Sequence, residues 1–318
     1  MTGAALLQPR PLAAILFALG GSVGLSLNDL AVKFLSGGYA LHQVMLIRTL
    51  IAACVLVFVI VAGRTGFAQL RTRRWREHLF RVTLIMVSNV AFFMGLAAMP
   101  LAEGVAVGFV APLLITAMSV VVLGETVGPR RWAAVGVGLL GVVIMLRPDL
   151  TPGSGVIQPA ALLVLLAATC YGAGHLMTRR MRETESAMTM NFWVLAGFFV
   201  VSCVMGLITS DGRFAGSADL SLDFLLRAWV WPASADWPVF LLLGVSIALG
   251  GLMIAQAYRL GEAGLVAPFE YVAMPLAIFW GVTVFGEWPD AVAWAGMALI
   301  VGAGLYAMWR EAIRRGAR

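Results

Sequence analysis

Four ionisable side chains stand inside stretches that are otherwise apolar enough for lipid: Asp29 and Lys33 in SLNDLAVKFL, Arg48 in IRTLIAA and Glu270 in APFEYVAMP. A charge at the centre of a spanning helix costs about 2.5–3.5 kcal/mol on insertion scales, so each needs a partner, water, or a task in binding an ion or solute. At about 1.5 Å per residue, Asp29 and Arg48 lie roughly 9 Å below the same end of their helices. That depth predicts an ion pair between them; Asp29 would otherwise neutralise Lys33 or face the cavity as a proton or cation site. Lys33, the only lysine in the chain, lies nearer the end. Its long stem is expected to snorkel to the headgroups.

A second group lies toward the opposite end. Glu270 stands between Pro268 and Pro275, and prolines free backbone carbonyls that lipid tolerates only beside protein or a water-filled cavity. Tyr171 and His175 are four residues apart and share a helix face, as do Asn89 and Phe93 in SNVAFFMGL. Gln256 and Tyr271 add hydrogen-bonding groups at a depth similar to Glu270. The candidate solute-binding set is therefore Asp29, Asn89, Phe93, Tyr171, His175, Gln256, Glu270 and Tyr271. His78 lies in the basic stretch LRTRRWREHLFR, read as a headgroup anchor.

The elements that must position these residues follow from composition. The chain has 318 residues, 61% apolar and 12% charged, with a mean hydropathy of +0.93, which marks an all-α integral membrane protein. Ten apolar runs are expected to span the bilayer: 12–35, 42–62, 82–99, 101–123, 131–147, 157–178, 187–208, 238–258, 264–285 and 289–309. With the N-terminus in the cytoplasm, 17 basic residues fall in cytoplasmic segments and only Arg147, Arg213 and Arg227 outside. That asymmetry predicts both termini in the cytoplasm. The first apolar run is too long, and too poor in a basic leader, for a cleaved signal peptide, so it is expected to be retained. Within the long link 209–237, LDFLLRAWVW is expected to lie flat as an interfacial helix.

Several function classes find no support. Cys54, Cys170 and Cys203 fall inside spans without metal-ligand spacing, so no metal or other cofactor is expected. The +6 charge sits in membrane-flanking arginines, which gives no nucleic-acid partner. The three histidines are scattered and no catalytic motif is present, so an intramembrane enzyme is the unsupported alternative.

The chain also repeats itself. From Leu101, LAEGVAVGFVAPLLITAMSVVVLGETVGPRRW parallels LGEAGLVAPFEYVAMPLAIFWGVTVFGEW from Leu260: L-x-E, a proline inside the helix (Pro112; Pro275), a closing Gly-Glu (Gly124-Glu125; Gly286-Glu287), then tryptophan. Two repeats of five helices, 12–147 and 157–309, must run in opposite senses because five is odd. Inverted repeats of this kind place a solute site between the halves. The glycines of the closing helices (Gly136, Gly138 and Gly141; Gly296, Gly302 and Gly304) would pack the halves together or form a homodimer.

These features, with MPLAEGVAVGFVAPLL and RLGEAGLVAPFEYVAMPLAIFWGVTVFGEWPD, resemble the EamA branch of the drug/metabolite transporter superfamily over nearly the whole chain. The resemblance implies a secondary carrier of small organic solutes in the plasma (inner) membrane, with a cavity lined by helices 1, 3, 4, 6, 8 and 9. NDLAVKFL and APFEY are similar to uptake carriers for riboflavin, or alternatively S-adenosylmethionine, more than to the amino-acid and metabolite exporters of the superfamily. A carboxylate with aromatic neighbours suits a flavin through stacking and a sulfonium through charge and cation–π attraction. Coupling is open at this point: protonation of Asp29 or Glu270 would drive transport, or the carrier would work as a facilitator or exchanger.

Overall fold

The computed structural model describes residues 11–63, 66–124, 128–146, 159–181, 184–260, 266 and 269–316. Among them the structure is all-helical. The helices are α1 (Pro11–Leu35), α2 (Leu41–Ala62), α3 (Trp75–Ala97), α4 (Leu101–Gly108), α5 (Ala111–Leu123), α6 (Pro129–Leu146), α7 (Pro159–Met181), α8 (Ala187–Thr209), α9 (Leu220–Leu226), α10 (Trp237–Leu260), α11 (Ala273–Phe285) and α12 (Ala291–Gly316). Among the described residues nine segments are long and apolar enough to cross a membrane, and α11 is a shorter apolar helix. The chain is a multi-pass membrane protein. Glu125, Glu262 and Pro268, used in reading the repeat and the surroundings of Glu270, lie outside the described residues.

Proline sets two breaks. α4 and α5 form one span, Leu101–Val121, interrupted where Val110 N–H turns back to Val107. Pro112 cannot donate to Gly108 four residues earlier, so the helix restarts there. The same happens before α11: Met274 N–H bonds the Tyr271 carbonyl at 3.0 Å, the group that Pro275 cannot reach. Glu270 therefore sits beside a helix break.

The halves are not separate bodies. Each spanning helix before residue 147 packs most extensively on one after it: α1 on α10, α2 on α8, α3 and α5 on α7, α4 on α11, and α6 on α12. One core cluster joins Val107, Leu113 and Val142 to Val164, Met274 and Ile300. Close crossings need glycine. A Cβ on Gly24 would lie 2.9 Å from Gly250 Cα, and one on Gly250 would lie 3.1 Å from Leu25 N and 3.2 Å from Gly21 O. These neighbours are backbone and cannot step aside, so Gly250→Val is expected to cost about 1–3 kcal/mol. A lowered unfolding midpoint in detergent checks this; an unchanged midpoint would mean that the crossing is looser than drawn. The expected packing role of the closing helices is seen at Gly141 and Gly296, whose added Cβ atoms would meet the opposite backbone carbonyl at 2.9 and 3.0 Å. Gly136 and Gly302 meet nothing within 4 Å.

Two expectations are corrected. LDFLLRAWVW is helical only to Leu226, where Arg227 closes an ion pair with Asp223. Beyond it the chain runs extended as a strap over the start of α2. Tyr39 donates to Asp236 (2.5 Å), Gln43 to the Val230 carbonyl (2.5 Å), and the His42 ring meets Thr209 Oγ1 and the Leu225 carbonyl, both at 3.1 Å. His78 is not a surface anchor. α3 begins earlier than its apolar run and buries His78 against Trp193, with Nε2 3.3 Å from Glu185.

Candidate functional site

The face of α7 that turns inward separates lining from packing. Gly172 meets α5 through Ile115 and Met118, whereas Gly174 meets α3 through Leu84 and Ile85. At 100° per residue, Tyr171 and His175 project between those two neighbours, away from exposed Leu162, Leu166 and Thr169 on the opposite side. On the inward face Val164 and Ala168 are buried, while Tyr171 is 44% exposed and His175 is exposed as well. A vestibule thus opens at the His175 end of the bundle and closes toward Ala160. The two rings lie 4.2 Å apart, centroid to centroid, with their planes inclined at 48°.

Glu270 is half-buried and lies within electrostatic range of the phenols of Tyr171 and Tyr271. Tyr271 itself turns aside. It is buried, stacks on Phe109 at 4.7 Å, and directs its hydroxyl at Gly304 of α12. Its ring backs the break instead of lining the vestibule. Gln256 is half-buried on α10, beside Ala257, which packs with Ala14, Ala18 and Val266.

α1 supplies a polar stripe. Ser22, Ser26, Asp29 and Lys33 fall within an arc of about 60°, the only polar residues on a helix whose other faces carry small and apolar groups apart from Asn28. At one end of the stripe Ser22 donates to the Phe269 carbonyl at 3.4 Å, next to Glu270. At the other end is Lys33.

The expected Asp29–Arg48 ion pair is replaced by a relay. No contact of those two charges within 4 Å occurs among the described residues; Asn28 stands between them, donating to Asp29 Oδ1 at 3.0 Å and accepting from Arg48 at 3.4 Å. The second arm of Arg48 reaches Asn89 Oδ1 at 3.3 Å. The guanidinium lies 5.7 Å from the Phe93 ring centroid and 5.2 Å from that of Phe198, and is 4% exposed. Asn89 and Phe93, read as solute contacts, are here engaged with Arg48, because a buried guanidinium recruits every acceptor and π face within reach.

Lys33 does not snorkel. Its ammonium is buried, donating to the Met99 carbonyl at 2.7 Å and to the Glu287 carboxylate at 2.7 and 3.0 Å, with the Phe285 ring centroid 5.1 Å away. Glu287 also accepts Leu101 N–H at 2.9 Å, at the start of α4. A carboxylate at a helix N-terminus and a fully coordinated ammonium are cheaper than a stem stretched past a packed helix end. Glu287 was legible as the close of the repeat; nothing local marked it as a partner for a residue 254 positions away.

The family model of the EamA-like transporter family matches residues 12–147 and again 158–309. The chain belongs to this family. Among the relatives of this EamA-like transporter, a protein described as a riboflavin transporter from Rhizobium johnstonii is 34% identical over 248 residues, covering 78% of this chain and 75% of that one. Another so described, from Vibrio cholerae, is 28% identical over 93% of this chain and 92% of its own. A protein described as an S-adenosylmethionine uptake transporter, from Rickettsia prowazekii, is 25% identical over 90% and 89%. A solved crystal structure shares the fold with a TM-score of 0.64, at 21% identity, over 96% of this chain and 98% of that chain.

Proposed function

We infer that this EamA-like chain takes up a flat, ring-bearing metabolite, riboflavin foremost, across the inner membrane by alternating access. Ten spans form two inverted halves, 12–147 and 157–309, with both termini in the cytoplasm. The exchange pattern of packing, α1 on α10 answered by α7 on α3, supports a two-fold relation between them. The observation that carries the reading is the open Tyr171–His175 surface beside Glu270. Adjacent aromatic rings offer π faces to a planar heterocycle, and a carboxylate accepts hydrogen bonds from its edge. Relatives described as riboflavin transporters support the same choice.

The carboxylate of Glu270 also favours a second solute, S-adenosylmethionine, whose sulfonium would meet charge and π faces together. Reconstitution into liposomes with each labelled solute separates the two. Riboflavin is expected to accumulate faster than S-adenosylmethionine, and a proton gradient is expected to raise the rate through Asp29 or Glu270. Uptake of S-adenosylmethionine alone would reverse the ranking, and uptake of neither would end it.

A further inference from the structure

The Lys33 knot ties three parts of the fold at the end opposite the open vestibule. The ammonium belongs to α1, the Met99 carbonyl to the link between α3 and α4, and Glu287 to the turn that follows α11. Glu287 accepts from Lys33 and from Leu101 N–H together, while its own N–H holds the Gly281 carbonyl at 2.9 Å. Seen from the membrane, this joins the first half of the chain to the second. The bundle is shut here and open at Tyr171 and His175, which is one of the two states that alternating access requires.

Asp29 lies on the same face of α1, one turn deeper than Lys33, with Asn28 as its hydrogen-bond partner. Residues at i and i+4 on a helix meet readily. Lys33 therefore has two carboxylates within reach of its stem: Glu287 across the gap between halves, and Asp29 on its own helix. The other charges nearby are Glu103 on α4, which acts on Lys33, and Arg48 on α2, which acts on Asp29.

We propose that Lys33 is a two-position switch of the transport cycle: it holds Glu287 while this end is shut, and turns back onto Asp29 when α11 and its following turn draw away. Without the second position, parting the halves would strand a cation in the membrane. With it, the ammonium trades one carboxylate for another, and the cost of opening falls to the difference between the two pairings. The polar stripe supplies the rest of the path, through Ser26 to Ser22 beside the Phe269 carbonyl.

This role rests on the alternating-access reading, and its test does not depend on which solute is carried. Cys54, Cys170 and Cys203 are replaced by Ser, and Ser26→Cys, buried in the shut state, is probed with a charged, membrane-impermeant thiol reagent. The reagent is applied to each side in right-side-out and inside-out vesicles. From the Lys33 side, Glu287→Gln is expected to raise the labelling rate about five-fold or more, and the exchange Lys33→Glu with Glu287→Lys to bring it back toward the parent. Asp29→Asn is expected to lower the rate below the parent, because Lys33 then loses the carboxylate on its own helix. Unchanged labelling in Glu287→Gln overturns the closure, and unchanged or faster labelling in Asp29→Asn overturns the second position. Size-exclusion profiles identify any variant that fails to fold, and Glu287→Gln, isosteric with the parent, carries the test if Lys33→Glu does. Labelling that follows this pattern without uptake of either solute would leave the switch standing and remove the solute assignment.

Discussion

Glu270→Gln is expected to lower solute uptake by on the order of 10- to 100-fold while leaving the unfolding midpoint nearly unchanged. Gln keeps the size of the side chain and its capacity to accept one hydrogen bond, so the packing beside the helix break is preserved. What disappears is the charge at the edge of the Tyr171–His175 surface. Hydrogen bonds to charged groups are worth about 1.5–3 kcal/mol, and about 1.4 kcal/mol is a factor of ten, which sets the range. Initial uptake rates in proteoliposomes, at matched protein content, measure it. Transport within about two-fold of the parent would assign the site to other residues and leave Glu270 a structural group. A loss of uptake with a collapsed midpoint would argue the same way.

Arg48→Ala is expected to produce the largest loss of stability of any single change in the first half, about 3–5 kcal/mol. Removing one member of a buried charged network leaves the others unsatisfied. Here the orphaned groups are Asn28 Oδ1 and Asn89 Oδ1, and two aromatic faces lose the cation between them. Arg48→Lys keeps the charge but not the fork that serves both asparagines, so its loss should fall between those of Ala and the parent. Denaturation followed by tryptophan fluorescence in detergent tests the order. If Lys proved as damaging as Ala, the geometry of the fork, more than the charge, would be what holds α1, α2 and α3 together.

Most spans were legible because hydropathy needs only local sequence, but the same hydropathy runs 101–123 and 264–285 as continuous spans and so passed over the breaks that Pro112 and Pro275 set in their own turns. The short extent of α9 was less legible: the apolar run through Trp231 continues past the point where Arg227 pairs back with Asp223 and ends the helix. Depth along a helix placed Arg48 level with Asp29 but could not show that Asn28, the residue next door, would stand between them. For the site, spacing put Tyr171 and His175 on one face, and the structure opens that face. The same reasoning put Asn89 with Phe93, and the structure spends both on Arg48. Spacing reports which side chains share a direction. It does not report what stands opposite, and that difference accounts for Tyr271, whose ring faces Phe109 and Gly304.

The partner of Lys33 has a meaning for the growing chain. α1 enters the membrane when Glu287 has yet to be made, and 254 residues of synthesis separate the two charges. Until then the ammonium has the headgroup region or Asp29 to rest on, and the α1 surface that will meet α10 has no neighbour. The early helices find their main partners in order, α3 and α5 with α7, α2 with α8 and α1 with α10, while α4 and α6 wait for the last two helices, so the knot at Glu287 is among the final contacts to form.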